Sequence, residues 1–257
     1  MLNKRSKSAF TKNGVPFCSG FSLIEMAMVL LIIGLLLNGL LVALGESNTN
    51  RLRSDAETQL EQIREALYGF AQINGRLPCP ANTTSAGAES PVTVIGGNCT
   101  NDNGFVPGVQ LNIQGSYNAQ GLLEDPWGNP YRYSVSTLSL SATNVFTTSA
   151  QLKSWFAGGT PLTGTWLCVS DTINCGAVTL ASMVPAIVYS LGASPATTPA
   201  KQAENLGGTL GGLAVAGDRE FVDAQYSDDS VEFFDDILVW LSPSILTSRL
   251  VSAGKLP

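Results

Sequence analysis

The sequence predicts an α+β fold in which one long N-terminal helix packs on an antiparallel β-sheet. First, an apolar run at 26–44 passes without proline into a pattern with the period of a helix, which ends near Asn74. Second, short apolar or aromatic segments bounded by turn residues predict strands in the remainder. Third, a hydrophobic content of 44% against 13% charged residues suffices for a packed core.

The N-terminal part has the pattern of a membrane segment. Residues 1–20 contain four basic residues and no acidic residue, and the 19 residues at 26–44 read MAMVLLIIGLLLNGLLVAL. A helix of that length extends about 28 Å, which is close to the thickness of a bilayer core. Basic flanks favour the cytoplasmic side of a membrane. We therefore expect a single pass with a cytoplasmic N-terminus and the remainder of the chain across the membrane.

Beyond the apolar run, an amphipathic helix is predicted as far as Asn74. Its apolar residues recur at steps of three or four, and they are Leu52, Ala56, Leu60, Ile63, Leu67, Phe70 and Ile73. Gly75 is placed to cap this helix, and Pro78 follows where a helix cannot continue. The predicted organisation is a leader at 1–20, a long helix at 21–77 with its transmembrane half at 26–44, and a globular β-rich head at 78–257.

Within the head, five segments have the composition of strands and one has that of a helix. The predicted strands are Tyr131–Val135, Asn144–Thr148, Thr165–Ser170, Ala186–Leu191 and Val231–Leu241. A helix is predicted from Pro243 to Ser252, with Ser242 as its N-cap. The segments 79–121 and 192–218 are rich in turn-forming and small residues and are expected to be loops.

Charge and composition argue against several functions. The formal net charge of −6 disfavours nucleic acid as a partner, because binding phosphates needs a basic surface. The chain has no histidine, so Ser/His/Asp and Cys/His catalytic arrangements are impossible. No spaced pair of carboxylates stands out for acid–base chemistry. We therefore expect no enzyme activity.

Five cysteines are present, and one of them, Cys18, lies in the basic leader. The other four allow three pairings. Proximity in the sequence favours Cys79–Cys99 and Cys168–Cys175, while four buried free thiols are the alternative. Paired cysteines indicate an oxidising compartment such as a periplasm.

The segment from Gly20 to Glu25, GFSLIE, precedes the apolar run and resembles the prepilin leader of type IV pilins and type II secretion pseudopilins. In that family a prepilin peptidase cuts after the glycine and methylates the new N-terminal residue. The resemblance implies cleavage between Gly20 and Phe21 and N-methylation of Phe21. It also implies that Glu25 pairs with the Phe21 amine of a neighbouring pilin or pseudopilin subunit in a filament.

Two further segments are similar to the major pseudopilin of type II secretion, namely DPWGNPY at 125–131 and YSLGA at 189–193. A chain of 257 residues less its leader is nevertheless large for a major pseudopilin, and the segments 79–121 and 192–218 have no counterpart there. We therefore expect a minor or accessory subunit of the bacterial inner membrane, with a periplasmic head, that later enters a pilus or pseudopilus.

Calcium is a possible ligand, because the major pseudopilin carries a calcium site in its C-terminal loop. The candidate ligands here are Asp228, Asp229, Asp235 and Asp236. A solvated acidic surface is the alternative.

Two other interpretations of the N-terminus are a plain signal anchor and a secretory signal cut after Gly45. The length of the apolar run disfavours the second, and the carboxylate of Glu25 disfavours both, because only assembly needs it. The alternative function is a membrane-anchored periplasmic binding domain without a filament role. An anchored enzyme is a third possibility, which the missing histidine disfavours.

Overall fold

The computed structural model describes residues 20, 22–91, 99–136, 145–156, 167–173, 175, 179–195, 200–206 and 220–256. The side chains of 37–47, 145, 151 and 154–156 are not among those described. Two compact units make up the chain, Met1–Thr49 and Asn50–Pro257, and each is considered by itself. The predicted leader, apart from Gly20, and Phe21 lie outside the described residues.

Four helices and nine strands are described. The helices are α1 (Leu23–Asn74), α2 (Ser149–Phe156), α3 (Ala200–Asn205) and α4 (Pro243–Ser252). The strands are β1 (Asn103–Phe105), β2 (Ser116–Tyr117), β3 (Leu123–Glu124), β4 (Arg132–Val135), β5 (Leu167–Ser170), β6 (Thr179–Val184), β7 (Ala186–Ser190), β8 (Glu220–Val222) and β9 (Ile237–Trp240). The protein is therefore α+β, as the sequence predicts.

In the first unit, α1 begins directly after Ser22, whose carbonyl accepts hydrogen bonds from the backbone N–H groups of Glu25 and Met26. The side chains from Leu23 to Leu36 are all exposed. Among the residues described, no helical stretch has the length and hydrophobicity that crossing a membrane requires. Residues 37–44 of the predicted span lie outside the described side chains.

In the second unit, the α1 segment that begins at Asn50 buries one stripe. Ala56, Leu60, Ile63 and Leu67 are fully buried, as the helical period predicts. The prediction that Ile73 ends the buried stripe is wrong, because Ile73 is 74% exposed. Ala71 is buried in its place. Ala71 lies four residues after Leu67, so it remains on the same face of a helix with 3.6 residues per turn.

The main sheet is antiparallel and has the strand order β1-β4-β7-β9. Side chains alternate across its two faces. On β7, Ala186 and Val188 join the core formed with α1 and α4, whereas Ile187 and Tyr189 join a second core. The main sheet therefore lies between helices on one face and further strands on the other.

A second sheet, of order β6-β5-β8, supplies the other half of the second core through Val169, Val184 and Phe221. Its β5 and β6 strands are antiparallel, but β5 and β8 are parallel. The main sheet is antiparallel, as predicted, and the β5–β8 pair of the second sheet is a parallel exception. The remaining strands, β2 and β3, form a short antiparallel hairpin.

Several local predictions differ from the structure. The prediction of a strand at Asn144–Thr148 is wrong, because Val145–Thr147 forms a 3-10 turn. The backbone N–H of Leu77 donates a hydrogen bond to the Phe146 carbonyl in this turn. The strand predicted at Val231–Leu241 shortens to Ile237–Trp240, because Phe234 pairs with Ser227 in an isolated bridge. Helix α4 has the predicted bounds, although the Ser242 side chain makes no capping hydrogen bond.

Candidate functional site

The residues of the predicted processing site lie at the start of α1. Gly20 is exposed, and a Cβ built on it would meet no atom within 4 Å. Glu25 is exposed in the first turn of the helix, where a carboxylate interacts favourably with the helix dipole. Among the described residues, no ion pair to Glu25 occurs.

The helix that follows Glu25 presents apolar side chains on every side. Leu23 is 88% exposed and Leu36 is 68% exposed, and the large apolar residues between them are exposed as well. A helix that is apolar all round is stable when it is surrounded by apolar material, either lipid or neighbouring helices. The described side chains of this segment therefore expose a continuous apolar surface.

The DPWGNPY segment at 125–131 and the YSLGA segment at 189–193 meet in the head, although 65 residues separate Asp125 from Ser190. The Ser190 hydroxyl donates a 2.5 Å hydrogen bond to Oδ2 of Asp125. The Asn129 side-chain amide donates a 2.7 Å hydrogen bond to the Gly192 carbonyl. These two contacts join the DPWGNPY turn to the end of β7.

The Asp125 carboxylate is the centre of this contact. It is 4% exposed, and its Oδ1 accepts hydrogen bonds from the backbone N–H groups of Trp127 and Asn129. Burial raises the pKa of Asp125, and the hydrogen bonds from Ser190 and from the turn oppose that rise. These hydrogen bonds hold the DPWGNPY turn in one conformation. Both oxygens of the Asp125 carboxylate accept hydrogen bonds within the protein.

The four candidate calcium ligands fall into two sets. Asp228 and Asp229 are exposed, whereas Asp235 and Asp236 are buried. Among the described residues, one group of three side chains of the kinds that bind metals lies close together. It consists of Cys168, Cys175 and Glu220, and the two cysteines form a disulfide. The structure therefore does not bring the four aspartates together around one point.

Asp235 and Asp236 receive their hydrogen bonds from neutral groups that sequence reasoning missed. The side-chain amide of Gln202 contacts both carboxylates, and the amide of Asn205 donates to Asp236. Burial raises the pKa of both aspartates. Gln202 and Asn205 lie in the 192–218 segment, whose composition predicts a loop and gives no signal for a buried helix.

Two disulfides are present in the head, Cys79–Cys99 and Cys168–Cys175, and they match the pairing predicted from proximity. A bidentate ion pair supports the first of them, because the Arg76 guanidinium donates 2.8 and 2.7 Å hydrogen bonds to the two oxygens of Glu89. The buried Glu89 also accepts the backbone N–H of Cys79. Together these bonds fix the segment after α1 to the helix end.

A groove of about 450 Å³ lies between the α1 segment 53–61 and β9, and its lining includes Arg53, Glu57 and Asp223. Arg53 forms an ion pair with Glu57 at 3.3 Å. Burial raises the pKa of Asp223, and the positive charge of Arg53 opposes that rise. This groove is the feature of the head that a binding-domain function would use.

Comparison of the chain with protein-family models, with curated proteins and with solved structures gave no significant match. Function is therefore inferred from the N-terminal motif and from the geometry described above.

Proposed function

We propose that this chain is a minor type IV pilin-like or pseudopilin subunit. In this proposal it begins as a single-pass precursor of the bacterial inner membrane, with its transmembrane half at 26–44, a cytoplasmic N-terminus and a periplasmic head. Prepilin peptidase cuts it between Gly20 and Phe21 and methylates Phe21. The mature subunit then packs into a pilus or a secretion pseudopilus through its N-terminal helix.

The observation that carries the proposal is the position of the GFSLIE motif relative to the helix. Gly20 and Glu25 flank the start of α1, and the helix that follows is apolar and exposed on every side. Gly20 is exposed, and no described residue lies within 4 Å of a Cβ built on it, which is consistent with access for a peptidase. A conventional secretory signal would give no reason for the carboxylate of Glu25 beside this apolar segment.

Glu25 gives the proposal its physical test. A charged side chain in a membrane helix costs about 2.5–3.5 kcal/mol at the bilayer centre and less near the edge. In a filament, Glu25 would pair with the Phe21 amine that cleavage creates on a neighbouring subunit. Removing one partner of a buried ion pair costs about 3–5 kcal/mol, because the other charge stays buried and unpaired. Assembly should therefore depend on Glu25 far more than insertion does.

The head supports the same assignment through its cysteines. Two disulfides, one of them closing a 20-residue separation, fit an oxidising compartment such as the periplasm. The α1 stripe from Ala56 to Leu67 packs on the antiparallel main sheet, which agrees with the α+β organisation that the pilin resemblance implies.

The experiment compares Glu25→Ala with the wild-type chain for membrane level, cleavage and cross-linking to partner pilins. Asp55→Ala is the matched control, because Asp55 is also an exposed acid of α1 but lies beyond the apolar segment and does not line the groove. We expect normal membrane level and cleavage for both variants, and loss of cross-linking for Glu25→Ala alone. Unchanged cross-linking of Glu25→Ala would contradict the filament role and favour the membrane-anchored binding domain, with the groove beside Asp223 as its site.

A further inference from the structure

Four oxygen atoms converge on one nitrogen atom inside the head. The Nε2 atom of Gln202 lies 2.8 Å from Oδ1 of Asp235 and 2.6 Å from Oδ1 of Asp236. It also lies 3.1 Å from the Ser194 carbonyl oxygen and 3.5 Å from the Leu191 carbonyl oxygen. Gln202 itself is fully buried.

This surrounding is unusual for an amide. A side-chain NH₂ group has two hydrogen atoms, so it can make good hydrogen bonds to two of the four oxygens at once. Two of the oxygens belong to carboxylates, and the others are backbone carbonyls. Carboxylate and carbonyl oxygens grouped around one point are the ligands that Ca²⁺ takes in proteins. The amide nitrogen therefore stands where a cation would balance the charge better.

The positive charge of Arg53 favours the ionised form of Asp236, but its influence is small beside that of burial. Among the described residues, no salt bridge reaches Asp235 or Asp236. Further hydrogen bonds to these carboxylates come from the backbone N–H groups of Ser194 and Ala193 and from the Asn205 amide. Burying a polar group costs free energy unless it is hydrogen-bonded. Here backbone N–H groups and side-chain amides donate those hydrogen bonds.

Helix α3 delivers both amides from one face, since Gln202 and Asn205 are three residues apart. The Oε1 atom of Gln202 accepts the Asp235 backbone N–H, which fixes the amide in this orientation. Asn205 bonds to the backbone of Val222 in both directions, which fixes the helix to β8.

We infer that the Gln202 amide occupies a cation-coordinating shell and replaces the metal ion, so that the head folds without calcium. The same geometry means that shortening this side chain opens a space lined by these four oxygens, in which Ca²⁺ together with water reaches the six to eight oxygen ligands that it takes. The inference concerns the head alone and does not depend on the proposed filament role.

The test uses the full-length chain in detergent and follows thermal unfolding by near-ultraviolet circular dichroism, in EDTA and in excess CaCl₂. The wild-type midpoint is expected to be the same in both. Gln202→Ala is expected to unfold at a lower temperature in EDTA and to gain roughly 5 °C or more in CaCl₂, since a ligand that binds only the folded state raises the midpoint. Lys201→Ala, on the same helix, is the matched control and should not respond to calcium.

The double variant Gln202→Ala/Asp236→Asn distinguishes specific coordination from a general effect of the salt, and it should lose the calcium response. If Gln202→Ala does not fold in EDTA, refolding in CaCl₂ is expected to recover it, and failure to recover would overturn the inference. A calcium-dependent midpoint in the wild-type chain would also overturn it, because the ion would then displace the amide.

Discussion

Replacing Asp125 with alanine tests whether the contact between the DPWGNPY turn and the end of β7 stabilises the head. The substitution removes the acceptor for three donors, which are the Trp127 and Asn129 backbone N–H groups and the Ser190 hydroxyl. Ser190 is fully buried, so its hydroxyl cannot turn to bulk water. The turn would keep its Gly128 N–H bond to the backbone carbonyl of residue 125.

The expected loss follows from these bonds. A hydrogen bond to a charged acceptor contributes about 1.5–3 kcal/mol, and an unsatisfied buried donor costs about 1–3 kcal/mol. Burial raises the pKa of Asp125, so removal of the carboxylate also relieves a desolvation cost that offsets part of the loss. We expect a net destabilisation of about 3 kcal/mol, which for a chain of this size lowers the unfolding midpoint by roughly 6–12 °C.

Thermal unfolding of the full-length chain in detergent measures this loss, with Glu124→Ala as the matched control. Glu124 is the preceding residue, is partly exposed and accepts one side-chain bond, at 3.3 Å, from Ser116. Its loss should cost less than about 0.5 kcal/mol, as for most surface substitutions, while Ser190→Ala should cost about 1 kcal/mol. Equal midpoints for Asp125→Ala and Glu124→Ala would refute the reasoning.

Three further predictions concern the head. Glu89→Ala should lower the free energy of unfolding, measured with denaturant, by about 3–4 kcal/mol, because Arg76 loses a largely buried partner. A double-mutant cycle with Arg76→Ala should give a positive coupling energy, and purely additive losses would contradict the prediction. Cys79→Ser should destabilise the head by about 2–4 kcal/mol under oxidising conditions and by nothing under reducing ones, so an equal loss in both would count against the disulfide. The folded-state pKa of Asp236 is raised by burial, so the folded state binds more protons than the unfolded state and stability should rise as pH falls toward the ordinary aspartate pKa of about 3.9. Asp236→Asn should flatten that slope, and an unchanged slope would argue against the assignment.

The parts of the fold that the sequence predicts well are those whose signals are local. The stripe from Ala56 to Leu67 has the period of a helix, and it is buried as expected. Pro243 at the first helical position sets the start of α4, and Gly254 with a φ of +67° follows its end. These signals depend on the conformational limits of individual residues, so they survive any tertiary arrangement.

The parts that the sequence does not predict depend on distant partners. Val145–Thr147 has strand-like composition, but the hydrogen bond from Leu77 and the burial of Phe146 hold it in a turn. Strand β8 is short and pairs in parallel with β5, a contact that no local pattern specifies. Propensity is a weak guide where tertiary contacts of this kind compete with it.

The candidate site divides in the same way. The GFSLIE motif and the DPWGNPY turn are visible as short strings of residues. The contact of Asp125 with Ser190, and the convergence of Gln202 on Asp235 and Asp236, join residues that are 65, 33 and 34 positions apart. Such contacts need the folded head, because nothing in the spacing of a polar residue reveals which buried carboxylate it will meet.

The N-terminus of the mature protein tests the central proposal most directly. The chain is expressed at full length with prepilin peptidase, and the N-terminal peptide of the membrane fraction is identified by mass spectrometry. The proposal predicts a chain that begins at Phe21 and carries one N-methyl group, and an unprocessed chain when the peptidase is absent. A mature chain that begins at Met1 or at Glu46 in the presence of the peptidase would contradict it.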